Sequence, residues 1–76
     1  MKADLRFQIN DKDGIYRASG LVANAKNPII PFAGSYIEIE LHGYSYSGIV
    51  KDVRFEYKVH SDDPLYTWVG IIIQEK

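Results

Sequence analysis

Apolar and polar residues alternate strictly from position 53 to position 60. The odd positions are apolar and the even positions are charged or carry an imidazole: Val53, Phe55, Tyr57 and Val59 against Arg54, Glu56, Lys58 and His60. A period of two places each set on one face of a β-strand, whereas the 3.6-residue period of a helix would scatter both sets. The pattern predicts a central strand whose odd face is buried. On this prediction, Phe55→Ala should lower the free energy of unfolding by about 3–5 kcal/mol.

Four further strands are predicted by alternation or by apolar runs between turn residues. They cover about residues 3–9, 15–22, 35–41 and 66–74. Asp13-Gly14 suits a hairpin loop in which Gly14 has a positive φ, and His42-Gly43 suits a two-residue turn that pairs Leu41 with Tyr44. Gly20, inside the second strand, indicates either a β-bulge or a close approach of another chain segment.

The inward-facing positions change phase inside the long strand that follows the His42-Gly43 turn. Tyr44 and Tyr46 face inward at even positions, whereas from Val53 onward the inward positions are odd. One extra residue must therefore lie between 47 and 52, and Gly48 is the predicted site of the bulge. A bulged long strand bends a small sheet until its edges approach each other.

Five strands in 76 residues predict one all-β domain that spans residues 1–76. The expected architecture is a small five-stranded antiparallel barrel or half-barrel with SH3-like connectivity, because a long loop at 23–34 separates strands two and three while shorter turns join the other pairs. An OB-like barrel is the alternative, although OB folds usually need more residues and a helix between strands three and four. Ile29, Ile30 and Phe32 in the long loop are expected to pack over one end of the core.

Composition limits what can stabilise this domain and what it can bind. There is no cysteine, so neither disulfides nor thiolate metal sites supplement the core. The net charge of −1 is too balanced to indicate a strongly electrostatic partner. No apolar run approaches the ~20 residues of a membrane span, and the N-terminal residues lack a signal-peptide-like stretch, so the expected location is the cytoplasm.

No group of residues in the sequence has the pattern of a catalytic, metal or cofactor site. Asp11 to Gly14 resembles the start of a calcium loop, but Ile15 and Val22 stand where oxygen ligands would be needed. His42 and His60 have no metal-site spacing. With no thiol, no spaced His–carboxylate set and no phosphate loop, we predict a protein that is not an enzyme and uses no metal or cofactor.

Two groups of residues are candidates for binding. The six tyrosines and one tryptophan of this short chain suggest an aromatic patch, for which the candidates are Tyr44, Tyr66 and Trp68. Arg54 and Lys58 on the outer face of the central strand are candidates for a charged recognition surface. Cross-strand pairing with Glu38 and Glu40 is the favoured interpretation of these two residues, and the recognition surface is the alternative.

The sequence is best explained as a non-enzymatic protein-interaction module of a small prokaryotic or phage-type protein, which binds through an aromatic surface or a free strand edge. The alternative is a small β-barrel that binds single-stranded nucleic acid by stacking bases on aromatic side chains. A basic groove lined by Tyr44, Tyr46 or Trp68 would favour nucleic acid, and a neutral apolar patch would favour protein. Because the last strand is apolar on both faces, a homodimer or a docked partner is expected on its Tyr66–Trp68 side.

Overall fold

The computed structural model describes residues 2–58 and 66–76 and contains five β-strands. These strands are β1 (Lys2–Asn10), β2 (Tyr16–Lys26), β3 (Tyr36–Leu41), β4 (Tyr44–Lys58) and β5 (Tyr66–Gln74). The all-β prediction is confirmed. The largest difference in bounds is at the end of β2, which continues to Lys26 because Ala25 pairs with Ala3 beyond a bulge. Asn24 lies in that bulge with a φ of 53°, and its N–H donates to the Asp4 carboxylate.

The strands form one sheet in the order β2-β1-β5-β4-β3. Three of the neighbouring pairs are antiparallel, as expected, whereas β1 and β5 run parallel. A parallel pair needs a long connection, and β2, β3 and β4 together supply it. The sheet curls into a nearly closed barrel, consistent with the predicted small SH3- or OB-like architecture.

The two edge strands of the sheet, β2 and β3, approach each other at Gly20 and Leu41. A Cβ atom placed on Gly20 would lie 2.8 Å from Cδ2 of Leu41, so a larger residue would require the Leu41 side chain to move. Gly20 itself pairs regularly with Phe7 and does not lie in a bulge. Of the two roles that the sequence left open for this glycine, the structure shows the close approach.

The phase change in β4 is confirmed, but its predicted position at Gly48 is wrong. The register against β5 shifts between Val50 and Asp52, which makes Lys51 the extra residue. Gly48 pairs regularly with Ile37, and it is buried against the end of β5. A Cβ there would overlap the carbonyl group of Gln74, so Gly48 serves close packing instead of a bulge.

The core lies on the inner face of the curled sheet. Its buried residues are Ala3, Leu5, Ile9, Val50, Val69, Ile71 and Ile73. Ile37, Ile39, Leu41 and Tyr46 pack against this cluster from the β3–β4 hairpin, as their alternation predicted. Both predicted turns are also confirmed, since Gly14 has a φ of 83° and His42 and Gly43 have φ values of 52° and 86°.

Two predictions of burial are wrong. Phe55 shares the inner side of the sheet with its pair partner Val69, yet it is 51% exposed. The reason is that β3 pairs with β4 only as far as Ile49, so none of the five described strands covers Phe55 from that side. In the long loop only Ile30 packs against the core, while Ile29 and Phe32 are exposed.

Candidate binding groove

A groove crosses the outer face of the sheet, on the side away from the core. Its central row consists of residues that are paired across four strands: Leu21 on β2, Arg6 on β1, Gly70 on β5 and Arg54 on β4. These positions alternate with the core residues Leu5, Val69 and Ile71, which places them on the opposite face. We call the site formed by Arg6, Leu21, Arg54, Trp68, Gly70 and Ile72 the outer groove. Its volume is about 610 Å³.

Gly70 forms the floor of the outer groove. A Cβ atom built on Gly70 would have only the Cβ of Arg54 near it, at 4.0 Å, so packing does not require a glycine here. Glycine weakens a strand interior relative to alanine by about 0.5–1 kcal/mol. The absence of a side chain at this position leaves a hollow between the arginines of the two neighbouring strands.

Arg6 and Trp68 form one wall of the outer groove. The guanidinium carbon of Arg6 lies 3.8 Å from the centre of the Trp68 ring, which is close enough for a cation–π stack. Trp68 lies two residues before Gly70 on β5, on the same face, opposite Asp4 on β1 and Glu56 on β4. The stack holds a flat aromatic and a flat cationic group in fixed positions beside the hollow.

Arg54 forms the opposite wall and already has an acidic partner. Its Nε donates to Oδ2 of Asp52 over 2.8 Å, and both side chains are substantially exposed. An exposed ion pair of this kind adds little to stability. Because breaking the ion pair with Asp52 costs little, the Arg54 guanidinium can bind the carboxylate of a ligand instead.

The remaining lining is more apolar than charged. Leu21 and Ile72 lie on β2 and β5, and the lining also includes Gln8, Tyr16, Ser19 and His42. On the same face as the two arginines lie the acidic side chains of Asp52 and Glu56, at positions paired with Ile72 and Trp68. The site is therefore mixed in charge, unlike the basic groove that nucleic-acid binding would predict.

The structure brings together one member of each predicted binding group. Trp68 from the aromatic set and Arg54 from the charged set lie on the same face, two residue pairs apart in the β4–β5 ladder. Lys58 and Tyr66 are paired with each other in that ladder, but their side chains lie outside the described part of the structure. Tyr44 is 70% exposed and lies at the β3–β4 turn, paired with Leu41, and it does not line the outer groove.

The favoured interpretation of Arg54, as a partner of Glu38 and Glu40, is wrong. Those two glutamates pair with Ser47 and Ser45, on the other side of the bulge in β4. The ion partner of Arg54 is Asp52, in its own strand. His42 is exposed in its turn, and His60 lies outside the described residues. Within residues 2–58 and 66–76, no cluster of acidic residues and histidines has the composition of a metal site.

Arg6, Leu21 and Gly70 are site residues that the sequence did not reveal. Arg6 and Leu21 join Trp68 and Arg54 only because β1 and β5, at opposite ends of the chain, are neighbours in the sheet, whereas Gly70 lies on β5 and pairs directly with Arg54. Arg6 stood out in no motif. The two-sided apolar pattern of β5 did indicate a second functional face, and Gly70 in the middle of it was the one local sign of a hollow.

Comparison with protein-family models, with curated protein sequences and with solved structures found no match. The described strands and loops include no helix long and apolar enough to cross a membrane.

Proposed function

We propose that this chain is a non-enzymatic protein-interaction module that binds an extended segment of another protein in the outer groove. The ligand segment presents a flat apolar side chain to the Gly70 hollow and a carboxylate to the arginines beside it. The proposal keeps the cytoplasmic location expected from the sequence. The observation that carries it is the Gly70 hollow between the Arg6–Trp68 stack and Arg54.

The chemistry of the groove favours this ligand. Leu21, Ile72 and the Trp68 ring provide apolar area, and hot spots of protein interfaces are enriched in tryptophan and arginine. A guanidinium binds a carboxylate through two parallel hydrogen bonds, so two arginines on either side of a hollow select for an acidic group at a defined position. Asp52 and Glu56 restrict how much negative charge the ligand can carry.

Single-stranded nucleic acid is the second candidate, and the Arg6–Trp68 stack is the observation that favours it. A base can stack on an exposed aromatic ring while an arginine contacts the phosphate. Nucleic-acid grooves, however, neutralise several phosphates with basic residues. Here Asp52 already partners Arg54, Glu56 is on the same face, and the net charge of the chain is −1. These acidic groups make nucleic acid a less favourable ligand of the groove than a protein segment.

A variant that fills the hollow tests the proposal most sharply. Gly70→Val adds a β-branched side chain that suits a strand and meets no backbone, so the fold should persist while the floor of the outer groove is occupied. Ser45→Val is the matched control, because it introduces the same side chain at an exposed strand position away from the groove.

Displayed linear peptides should be selected on the wild-type domain and then measured against both variants. We expect the selected peptides to combine acidic with apolar residues, to lose at least about tenfold in affinity with Gly70→Val and Trp68→Ala, and to bind Ser45→Val normally. Peptides that bind Gly70→Val as well as wild type would contradict the site. Tighter binding of oligothymidylate, falling steeply with salt, would favour the nucleic-acid alternative.

A further inference from the structure

The second half of β4 has an edge that is free of pairing with any strand the structure describes. From Asp52 to Lys58 this strand pairs with β5 on one side. On its other side the β3 ladder ends at Ile49, and the long loop adds two backbone bonds, from Val50 N–H to Ser35 and from Gly34 N–H to Val50. Beyond Val50, no backbone hydrogen bond reaches this edge from any residue that the structure describes. An edge of this kind can pair with a strand of another chain.

The residues along this edge are complementary to themselves when read in opposite directions. The segment is Asp-Val-Arg-Phe-Glu-Tyr-Lys, from Asp52 to Lys58. If two copies run antiparallel with Phe55 opposite Phe55, each Arg54 stands opposite Glu56 and each Asp52 opposite Lys58. Val53 then stands opposite Tyr57. Every charged position meets an opposite charge, and every apolar position meets an apolar one.

Shifted registers lose this complementarity. A shift by two residues in one direction centres the pair on Arg54 and sets Asp52 against Glu56. A shift by two in the other direction centres it on Glu56 and sets Arg54 against Lys58. Like charges directly opposite each other destabilise a sheet, and a shift by one residue would place polar side chains on the apolar face. The sequence of the edge therefore favours the register centred on Phe55 over the registers shifted by one or two residues.

The side chains at the centre of the edge are accessible. Phe55 is half exposed on the inner side of the sheet, and Arg54 and Glu56 are exposed on the outer side. Phe32 lies next to the start of the edge, since its carbonyl accepts from Ser35, the residue that bonds Val50. Phe32 is exposed as well. Pairing of two copies would cover the apolar surface that β3 is too short to protect.

We propose that a second copy of this chain pairs antiparallel with the free edge of β4, on a two-fold axis at Phe55, so that the two sheets become continuous. Arg54 belongs to both sites, but the pairing of the edges depends on edge geometry and charge complementarity and not on the Gly70 hollow. The sequence led us to expect self-association on the Tyr66–Trp68 side of β5. The proposed dimer instead uses the edge of β4 that faces away from β5.

Charge reversal and charge exchange test the register directly. Sedimentation equilibrium of the wild type should show reversible dimers as concentration rises. Arg54→Glu and Glu56→Arg each create two like-charge pairs across the two-fold axis, so each should weaken the dimer by roughly tenfold or more. The double variant Arg54→Glu/Glu56→Arg exchanges the charges, restores both pairs and should recover dimerisation. Recovery separates a specific pairing from a general effect of altered charge or stability.

Three results would overturn the proposal. The first is a wild-type chain that stays monomeric up to about 1 mM. The second is a double variant no better associated than the single ones. The third is concentration-dependent amide protection that appears on β5 or β2 instead of residues 52–58. Gly70→Val leaves the edge intact and should dimerise like wild type, so failure of the outer groove and failure of the dimer can be told apart.

Discussion

Two rows of paired residues on the inner face of the sheet differ in how well they are covered. The first row consists of Ala18, Ile9, Ile73 and Val50, and the second of Val22, Leu5, Val69 and Phe55. In the first row Ile9, Ile73 and Val50 are all at most 1% exposed. In the second the two central residues are buried, but Val22 and Phe55 at its ends are 48% and 51% exposed.

The difference between the rows follows from the length of β3. This strand has only six residues and pairs with β4 from Tyr44 to Ile49. The β3 ladder therefore ends beside the row that contains Val50 and does not extend along β4 to the row that contains Phe55. Side-chain alternation specifies which face a residue occupies, whereas burial depends on whether another element covers that face. The barrel is closed at one end and open at the other.

The largest expected effect comes from truncating the closed row. Ile73→Ala removes a side chain with no exposed area from the strand at the centre of the sheet. Little around it can collapse into the space, so the free energy of unfolding should fall by about 3–5 kcal/mol. Denaturant titration measures this, and a loss below about 1 kcal/mol would show that the row is not tightly closed.

A smaller loss is expected when the packing of Gly48 against the end of β5 is disturbed. Gly48→Ala places a methyl group on the Gln74 carbonyl, so backbone must move at a cost of about 1–3 kcal/mol. Gly70→Ala is the matched control, because its methyl group enters the hollow of the outer groove and should leave stability unchanged or raise it by up to ~1 kcal/mol. Equal thermal midpoints for the two variants would contradict this account of Gly48.

The open row should tolerate truncation better than the closed one. Phe55→Ala truncates a side chain that is already about half exposed to water. The free energy of unfolding should therefore fall by about 1–2 kcal/mol, and not by the 3–5 kcal/mol predicted from alternation alone. Glu56→Ala, one residue along on the outer face, should change stability by less than ~0.5 kcal/mol. Both are to be measured in dilute solution, where pairing of β4 edges does not contribute. If Phe55→Ala lowered the free energy of unfolding as much as Ile73→Ala does, the distinction between the open and the closed row would be wrong.

Local patterns were sufficient to predict most of the individual strands and turns. Alternation identified β3 and the inward side of β4, and Gly14 and His42-Gly43 identified their turns, because these features depend on neighbouring residues alone. The phase change in β4 was also visible, but its exact position was not. Gly48 was mistaken for the bulge because glycine serves both bulges and close packing, and the contact that requires it here is with Gln74.

The strand order and part of the outer groove could not be predicted from the sequence, because they depend on contacts between distant parts of the chain. The parallel pairing of β1 with β5 joins residues more than sixty positions apart, and no local signal specifies it. That pairing brings Arg6 to Trp68 and completes the outer groove. Two of the six residues of the outer groove, Trp68 and Arg54, could be named in advance because both lie on strands with clear alternation or unusual apolar content. Arg6 and Leu21 could not, because only the order of strands in the sheet brings them to the site.

Amide hydrogen exchange along β4 in dilute solution tests the closed-and-open comparison most directly. The Val50 amide is bonded to Ser35 inside the closed end and should exchange only through global unfolding. Over residues 52–56, the alternate amides on the free edge should exchange with almost no protection, and those bonded to β5 should exchange through local opening. Protection equal to that of Val50 at every amide from 52 to 56 would contradict the account.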